Sequence, residues 1–410
     1  MEGIENMELQ QPSEASGLNR DRADEVMKAK GLQALIATTP ENIHYVIGSQ
    51  LRASNWTMQI YAILPADRSA RPCIVIPTNR LGVVAQFGIT NVDIFAYSDF
   101  FVEGTIEGKP STADIDLFYS LLQTTVIHQG AADALFAALK HLGIENQPIG
   151  IDEMRIAPDI MAQVQDALPD GAVVPAYKLF RHIRLVKTPF EIERLRRAAE
   201  VNERIEQELI NLIAAGLHEK ELADHYRIAV MRAGGTPAMT AVGAGPRSAL
   251  PLIENYFHTI EQGDQIRFDL CMQLDGYWGD TGRTVVAGEP TAWMKKHFHA
   301  VKSGWETALE TVRPGVRASE IFHAAVSRVQ QEGIPHYRRQ HVGHAIGLEL
   351  YDDLTISPGD QHILEPGMVL CVEVPYYELG AGGFQIEDTV VVTPDGYEFL
   401  THMERKLFIK

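Results

Sequence analysis

The sequence has few cysteines, no long apolar run and a deficit of positive charge, and each of these excludes a class of protein. Cys73, Cys271 and Cys371 are the three cysteines among 410 residues and form no C-x-x-C pair, so they predict neither a disulfide framework nor a thiolate zinc site. No apolar run approaches the roughly 18 residues that span a bilayer. Lys and Arg number 36 against 54 Asp and Glu, a formal net charge of −18. This charge opposes binding to nucleic-acid phosphates and anionic lipids, so we expect no nucleic-acid or membrane partner.

The amino terminus lacks the features of an exported protein. Residues 1–6 are acidic, without the basic start and apolar stretch of a secretory signal. Together with the three scattered cysteines, this predicts a cytoplasmic protein.

The composition and length are those of a globular protein with two domains. The chain is 45% hydrophobic and 22% charged, and its length exceeds what one hydrophobic core usually serves. Residues 1–17 are polar and without periodicity, which predicts a flexible arm. Over residues 18–180, strand-like runs such as 73–76 alternate with helical patterns such as 131–142, so we expect an α/β amino-terminal domain.

A clear helix start lies near the beginning of the second region, residues 181–410. Thr188 can cap the helix, Pro189 suits its first position, and Glu191 completes a capping box. Further helical patterns cover 219–232, 293–312 and 318–331, and strand patterns cover 265–274, 368–374 and 384–392. We expect an α+β domain with helices packed on a mostly antiparallel sheet.

Three segments of this second region carry the residues suited to chemistry: 269–284, 341–349 and 364–389. Taken singly, Asp269 is typical of a turn, His344 of a protein core and Glu373 of a strand end. However, Asp269 and Glu373 lie in apolar strand contexts, where an unpaired carboxylate costs several kcal/mol. Several such residues in one domain favour a metal site.

Together the three segments resemble the pita-bread metallohydrolases, a family that includes methionine aminopeptidase, aminopeptidase P, prolidase and the metal-free creatinase. The resemblance covers the second region, with a looser match in the first. It implies a creatinase/prolidase-like amino-terminal domain, a pita-bread catalytic domain and a homodimer. The metal ligands implied by the resemblance are Asp269, Asp280, His344, Glu373 and Glu387.

Four carboxylates and one imidazole suit two divalent cations, which would be Mn²⁺, Co²⁺, Fe²⁺ or Zn²⁺. Ligand types alone do not choose among these metals. In the family, two metals activate a water and the residue that matches Glu373 also transfers protons. The resemblance therefore implies a dinuclear hydrolase of an amide-type C–N bond in short Xaa-Pro peptides.

The residues expected around the metals depart from the family pattern. Leu252 stands where the family has a histidine, 17 positions before the first metal Asp. Tyr351 replaces a second histidine, seven positions after the metal His, and Gln385 replaces an arginine, two positions before the last metal Glu. A further histidine, four positions before the metal His, is Gln340 here, although the neighbouring His341 would serve if the loop shifts by one residue. Because losing one such donor costs about 3 kcal/mol of transition-state stabilisation, standard prolidase chemistry is in question.

The candidate site residues follow from these matches and departures. The candidate catalytic residues are Glu373, Tyr351 and His341, and the candidate substrate-binding residues are Trp56, Leu252 and Gln385. Loops such as the one with Trp56 close the partner subunit's pocket in family dimers. Trp56 would either stack on a substrate or cation there or simply pack at an interface.

Two alternatives to a peptidase stay open at the level of sequence. The altered positions suit an enzyme that acts on a small zwitterionic substrate, either a creatinase-like C–N hydrolase or a dimethylsulfoniopropionate lyase-like enzyme. The other alternative is a non-catalytic binding module on the same fold, against which the complete ligand set argues.

Overall fold

A computed structural model of the chain describes residues 17–51 and 58–410. Its contacts divide the chain between Ile183 and Arg184 into two compact units. Most of the predicted arm, residues 1–16, and the predicted substrate contact Trp56 lie outside the described residues. Among the helices of the described part, none is long and apolar enough to cross a bilayer.

The first unit is built on a seven-stranded mixed sheet. Its strands are β1 (Ala34–Ala37), β2 (Tyr61–Pro65), β3 (Cys73–Pro77), β4 (Asp93–Tyr97), β5 (Ile127–His128), β6 (Ile149–Ile151) and β7 (Val173–Pro175). Their order is β5-β4-β3-β2-β1-β6-β7, with β2 antiparallel to β1 and β3 and the other neighbours parallel. Strands β1 to β3 are buried at every residue, which requires cover on both faces of the sheet.

Helices supply that cover. They are α1 (Arg20–Lys30), α2 (Pro40–Ile47), α3 (Leu81–Gln86), α4 (Ala113–Thr124), α5 (Ala131–His141), α6 (Pro158–Ala167) and α7 (Tyr177–Leu185). Helix α2 packs on β1 and β2, and α5 on β3 and β4. The alternation of strands and helices is the α/β arrangement that the sequence predicts.

The second unit contains two larger antiparallel systems of strands. Its strands are β8 (Thr236–Ala244), β9 (Gln265–Leu274), β10 (Tyr277–Thr281), β11 (Thr284–Val286), β12 (Gly343–Ala345), β13 (Val369–Glu373), β14 (Tyr376–Glu378), β15 (Gly382–Phe384), β16 (Glu387–Thr393), β17 (Gly396–Phe399) and β18 (Phe408–Ile409). In one sheet β8, β10 and β11 all pair with β9, and β18 adds to β11; in the other the order is β12-β13-β16-β17, while β14 and β15 form a hairpin. Only the β11–β18 pair is parallel among the described strands of this unit, as expected for a mostly antiparallel sheet.

Each of these two sheets has its own pair of helices. The helices are α8 (Pro189–Leu212), α9 (Glu219–Arg232), α10 (Ala292–Thr311) and α11 (Ala318–Gln331). Residues of α8 and α9 share a buried apolar cluster with β8 and β9, whereas α10 and α11 share another with β12, β13 and β16. The helix-free faces of the sheets are left for polar side chains.

Helix α8 begins as predicted and is fixed to the hairpin of β9 and β10. Thr188 and Glu191 form both hydrogen bonds of the capping box. Asn202 donates from Nδ2 to the carbonyl of Leu270 at 2.7 Å and to Thr281 Oγ1 at 3.0 Å. These bonds hold the strands that carry two of the predicted metal ligands.

Candidate metal centre

The strand alternation of β9 separates apolar from reactive side chains. Ile266, Phe268 and Leu270 belong to the apolar cluster beneath α8 and α9. Because successive side chains of a strand point to opposite faces, Asp269 and Cys271 lie on the other face. In β13, Leu370 and Val372 pack in the cluster with α10 and α11. The same rule therefore places Cys371 and Glu373 on the opposite face.

The β9–β10 hairpin brings two carboxylates together. Asp280 of β10 pairs with Cys271 of β9, two residues from Asp269 on the same face. The turn between the strands contains Asp275 at φ 51° and Gly276 at φ 89°, the left-handed conformations typical of a two-residue hairpin. The Cys271 thiol donates to Asp280 Oδ1 at 3.0 Å.

The second sheet contributes the imidazole and the two glutamates. His344 of β12 pairs with Cys371 of β13, and Glu373 of β13 pairs with Glu387 of β16. The amide of Glu387 donates to the carbonyl of Gly282 at 3.0 Å, so this sheet joins the first next to the hairpin. The predicted metal ligands thus come from two sheets that meet at one edge.

Two overlapping groups of potential ligand atoms result. The side-chain donors of Asp280, His344, Cys371 and Glu387 lie within 4.8 Å of one another, and so do those of Asp269, Cys271 and Asp280. His344 Nε2 is 3.6 Å from Asp280 Oδ2. Carboxylate and imidazole donors at these separations suit borderline divalent cations, and Asp280 belongs to both groups.

Glu373 joins this cluster through Gln385. The Gln385 side chain donates from Nε2 to Glu373 Oε2 at 3.1 Å and to Glu387 Oε2 at 3.0 Å. Gln385 is fully buried. The structure therefore shows this predicted substrate-binding residue as a bridge between two predicted metal ligands.

The cluster brings together more negatively charged carboxylates than the positively charged side chains nearby can balance. Burial, with a contribution from the charge of Asp280, raises the pKa of Asp269 to about 7 despite the opposing effect of Arg267. Burial and the charge of Asp280 also raise the pKa of Glu387 well above its ordinary value. Groups that share charge so closely cannot all ionise by themselves, and bound cations would remove that penalty.

Glu373 differs from these carboxylates because histidine lies beside it. His341 Nδ1 is 3.2 Å from Glu373 Oε1, although the angle is too poor for an aligned hydrogen bond. Burial raises the pKa of Glu373, but the proximity of His341 outweighs burial and lowers it to about 2. Gln340 is exposed, so His341 is the residue of this pair that faces the cluster.

Tyr351 lies over the predicted metal ligand His344. Their rings stack with centroids 3.8 Å apart and an interplanar angle of 21°. Burial and the charge of Glu373 raise the pKa of Tyr351, which keeps its hydroxyl protonated. With 42% of its surface exposed, Tyr351 is accessible to solvent beside the cluster.

Leu252 lies on a loop that is connected to Asp269 through Arg267. Arg267 donates from Nη2 to the carbonyls of Leu250 at 2.6 Å and Pro251 at 2.9 Å, and from Nη1 to Asp269 Oδ2 at 3.1 Å. Leu252 itself is 63% exposed. Its apolar side chain offers surface at this position but no proton-transfer group.

Sequence analysis misses three residues of the cluster: Arg267, Cys271 and Cys371. The spacing of the cysteines from each other carries no signal, but each is two residues from a predicted ligand in the same strand, and strand alternation places it on the same face as that ligand. Burial raises the pKa of both thiols well above the ordinary value. In the described structure Cys271 and Cys371 are therefore neutral thiols beside the carboxylates.

Comparison with known proteins establishes the family. A model of metallopeptidase family M24 matches residues 193–394, and a model of the creatinase/prolidase N-terminal domain matches residues 20–186. The chain is 31% identical over 275 residues to an Xaa-Pro dipeptidase of Pyrococcus horikoshii, a match that covers 66% of this chain and 75% of that protein. The chain belongs to metallopeptidase family M24. Membership in M24 confirms the family resemblance and places the chain among the metal-dependent hydrolases of the peptidase type.

Other relatives of the M24 chain agree with this assignment. An Xaa-Pro dipeptidase of Pyrococcus furiosus is 32% identical over 231 residues, which cover 56% of this chain and 66% of that protein, slightly less than two thirds of its length. The structure of an Xaa-Pro dipeptidase from Bacillus anthracis matches with a TM-score of 0.76 at 23% identity, over 95% of this chain and 99% of that one. The prolidase structure from Pyrococcus horikoshii gives 0.74 at 22% identity over the same shares. These two structures show a shared fold, which confirms the predicted fold class.

Proposed function

We propose that this M24 chain is a dinuclear metallopeptidase that hydrolyses the bond before proline in short Xaa-Pro peptides. The observation that carries the proposal is the position of Asp280 in two adjoining groups of ligand atoms, as a carboxylate shared by two metals requires. The relatives named Xaa-Pro dipeptidase support the substrate class.

We assign the two cations to the five residues that the sequence predicts. The ligands are Asp269, Asp280, His344, Glu373 and Glu387. When bound, the two cations would lower the pKa of a shared water and polarise the scissile carbonyl. The crowding of the carboxylates supports this assignment, because divalent charge would offset their repulsion.

Glu373 has the surroundings of a proton-transfer group. Its carboxylate is ionised because His341 lies 3.2 Å away, so it can accept the proton of the attacking water and pass it to the leaving amine. The amide of Gln385 holds the other carboxylate oxygen. Glu373 is thereby held between the imidazole of His341 and the amide of Gln385.

Tyr351 orients His344 and offers a solvent-accessible hydrogen-bond donor beside the site. Stacking of the two rings limits rotation of the imidazole. The raised pKa of the phenol keeps its proton available. We assign to this hydroxyl the stabilisation of charge that develops on the substrate.

The finer properties of the enzyme remain part of this proposal. We retain Mn²⁺, Co²⁺, Fe²⁺ and Zn²⁺ as the candidate metals, a homodimer as the assembly and the cytoplasm as the location. All three cysteines are free and buried, which supports a reducing compartment. The non-peptidase alternative is not favoured, because the named enzymes among the relatives cited above are Xaa-Pro dipeptidases.

The proposal is tested by peptide hydrolysis before and after metal removal. The wild-type protein should cleave Ala-Pro in the presence of Mn²⁺, lose activity with a chelator and regain it when metal is restored. Asp280→Asn should be inactive with either treatment, since it removes the shared carboxylate. Asp275→Asn is the matched control, because Asp275 lies in the turn of the same hairpin and is half-exposed. Failure of the metal-loaded wild type to cleave any Xaa-Pro peptide would refute the proposed substrate class.

A further inference from the structure

The thiol of Cys371 lies among the residues of the proposed metal centre. Cys371 is fully buried, and its side chain points away from α10 and α11. In the register of the sheet it is directly opposite His344 of β12 on one side and Thr389 of β16 on the other. Its sulfur lies within 4.8 Å of the side-chain donors of three proposed ligands, Asp280, His344 and Glu387. A sulfur donor therefore belongs to the same group as these ligands.

The four donors of this group have the number and spacing that a single zinc ion needs. They are one sulfur, one imidazole nitrogen and two carboxylate oxygens, and zinc is commonly bound by four such donors in a tetrahedron. Zinc binds sulfur at about 2.3 Å and nitrogen or oxygen at about 2.1 Å, so two ligands of one ion are at most about 4.4 Å apart. Because the donors here already lie within 4.8 Å of one another, small side-chain movements suffice to close the group around an ion.

Thr389 places a hydroxyl beside the sulfur of Cys371. Thr389 Oγ1 is 3.5 Å from Cys371 Sγ and donates to the carbonyl of Asp280 at 3.3 Å. A hydroxyl next to a metal-bound sulfur can donate to it, and donors of this kind hold a ligand in its orientation. The surroundings of Cys371 therefore already contain a hydrogen-bond donor for the charged, metal-bound form of the side chain.

Cys271 differs from Cys371 in both its group and its hydrogen bond. It belongs to the group with Asp269 and Asp280, which has three donors and no imidazole. Its thiol donates to Asp280 Oδ1 at 3.0 Å, so its proton holds a carboxylate in place. Carboxylate oxygens suit a harder cation such as Mn²⁺. The two groups of ligand atoms thus differ in the metal that they favour.

We propose that Cys371 is a ligand of one of the two metals and makes its group selective for Zn²⁺ over Mn²⁺. This inference rests on the dinuclear centre proposed above and specifies the metal for one of its two positions. Thiolate ligands select zinc, whereas manganese prefers carboxylate and water oxygens. On binding, the S–H bond breaks, an S–Zn bond forms and the proton leaves to solvent, since a coordinating thiol is deprotonated. The spacing of the cysteines gives no sign of this site, because its other ligands come from three other strands.

The first test is the absorption spectrum of the cobalt-loaded protein. Co²⁺ replaces zinc as a coloured probe, and a thiolate bound to it gives a charge-transfer band that carboxylate and imidazole ligands do not give. The whole chain, stripped with a chelator and loaded with about two equivalents of Co²⁺, should show this band. Cys371→Ser should lose the band at the same cobalt content, and Cys271→Ser should retain it. Cys73→Ala is the matched control and should retain it, because Cys73 is a buried thiol in β3 of the first unit.

The second test measures metal selectivity by competition with a chelator whose colour reports the free ion. Cys371→Ser should bind Zn²⁺ at least about 100-fold more weakly than the wild type, beyond the loss caused by removing a mere neighbour of a ligand. Its affinity for Mn²⁺ should be unchanged, since manganese gains little from sulfur. Cys73→Ala should bind both metals as the wild type does.

The outcomes separate this inference from the proposed function. Absence of the band in the cobalt-loaded wild type would overturn the role of Cys371 without any variant; cleavage of Ala-Pro with Mn²⁺ does not depend on this ligand, so the peptidase function would stand. A band that persists in Cys371→Ser and vanishes in Cys271→Ser would also overturn the inference. Equal losses of Zn²⁺ and Mn²⁺ affinity in Cys371→Ser would show a structural role and overturn it too. If the wild type binds none of the three metals, the dinuclear centre fails and the inference fails with it.

Discussion

At the scale of single residues, the account depends most on Glu373. Replacing it with Gln removes the proton acceptor while keeping the size of the side chain. We predict a fall in kcat of at least about 10³-fold, given the combined loss of proton transfer and of one metal-site charge. Steady-state kinetics on Ala-Pro, with far-ultraviolet circular dichroism to verify the fold, would measure this.

The control for Glu373→Gln is Glu398→Gln. Glu398 lies on β17, is 57% exposed at its side chain and pairs with Arg196, so its loss should leave kcat unchanged. Near-normal turnover in Glu373→Gln would remove this residue from the mechanism.

Tyr351 provides a second prediction for a single side chain. Tyr351→Phe keeps the ring that stacks on His344 and removes only the hydroxyl. We expect kcat/KM to fall by about 100-fold, as for the loss of one stabilising donor, with metal content unchanged. Elemental analysis and kinetics on the same preparation would check both parts. An active Tyr351→Phe enzyme would reduce Tyr351 to a packing role.

At the scale of elements, the segment that carries Tyr351 is held by a buried network of ion pairs. Asp352 accepts from Arg184 Nη2 at 3.1 Å and from Lys187 Nζ at 2.9 Å. Asp352→Asn removes the carboxylate that pairs with the buried Lys187 and one of those that pair with the buried Arg184, which also contacts Glu349 at 2.7 Å. We predict a loss of about 3–5 kcal/mol in the free energy of unfolding, measured by urea denaturation.

The neighbouring Asp353 offers the control for this change. Its side chain is 23% exposed and lies 3.6 Å from His362, so Asp353→Asn should cost less than 1 kcal/mol by the ordinary value of such pairs. Equal stability of the two variants would contradict the importance of the network.

Elements of this kind were predictable where the sequence is periodic. The capping box of Thr188 and Glu191 is present, and the predicted helix 219–232 is observed as Glu219–Arg232. Local hydrogen bonds and alternation determine both features, so the sequence contains the information. The hairpin between Asp269 and Asp280 follows for the same reason.

The remaining features depend on distant parts of the chain. Whether His341 or Gln340 faces Glu373 depends on a loop without periodicity. Gln385 bridges two glutamates only because β13 and β16 pair Glu373 with Glu387. Such contacts depend on the register between strands, which local sequence patterns do not contain.

At the scale of the whole molecule, stability should depend on pH through a buried acid outside the proposed site. Burial raises the pKa of Glu206 to about 8, against the opposing effect of Arg283. The folded state therefore binds more protons than the unfolded state between about pH 4.5 and 8, so this group lowers stability as pH rises through that range.

Glu206→Gln should remove this dependence. We predict that the variant is more stable than the wild type by on the order of 3 kcal/mol at pH 8 and that the difference disappears near pH 4. Denaturation at both values would measure it. Glu208→Gln, at a half-exposed position of the same helix, should show no such trend; a pH-independent difference in Glu206→Gln would contradict the assignment.

The measurement that tests the central claim most directly is the number of metal ions bound by the whole chain. Protein stripped with a chelator is titrated with Mn²⁺ by calorimetry, and bound metal is verified by elemental analysis. We predict about two equivalents for the wild type and the Asp275→Asn control, and less than one tightly bound equivalent for Asp280→Asn, since Asp280 belongs to both groups of ligands. Absence of metal binding in the wild type, or two full equivalents in Asp280→Asn, would contradict the dinuclear centre.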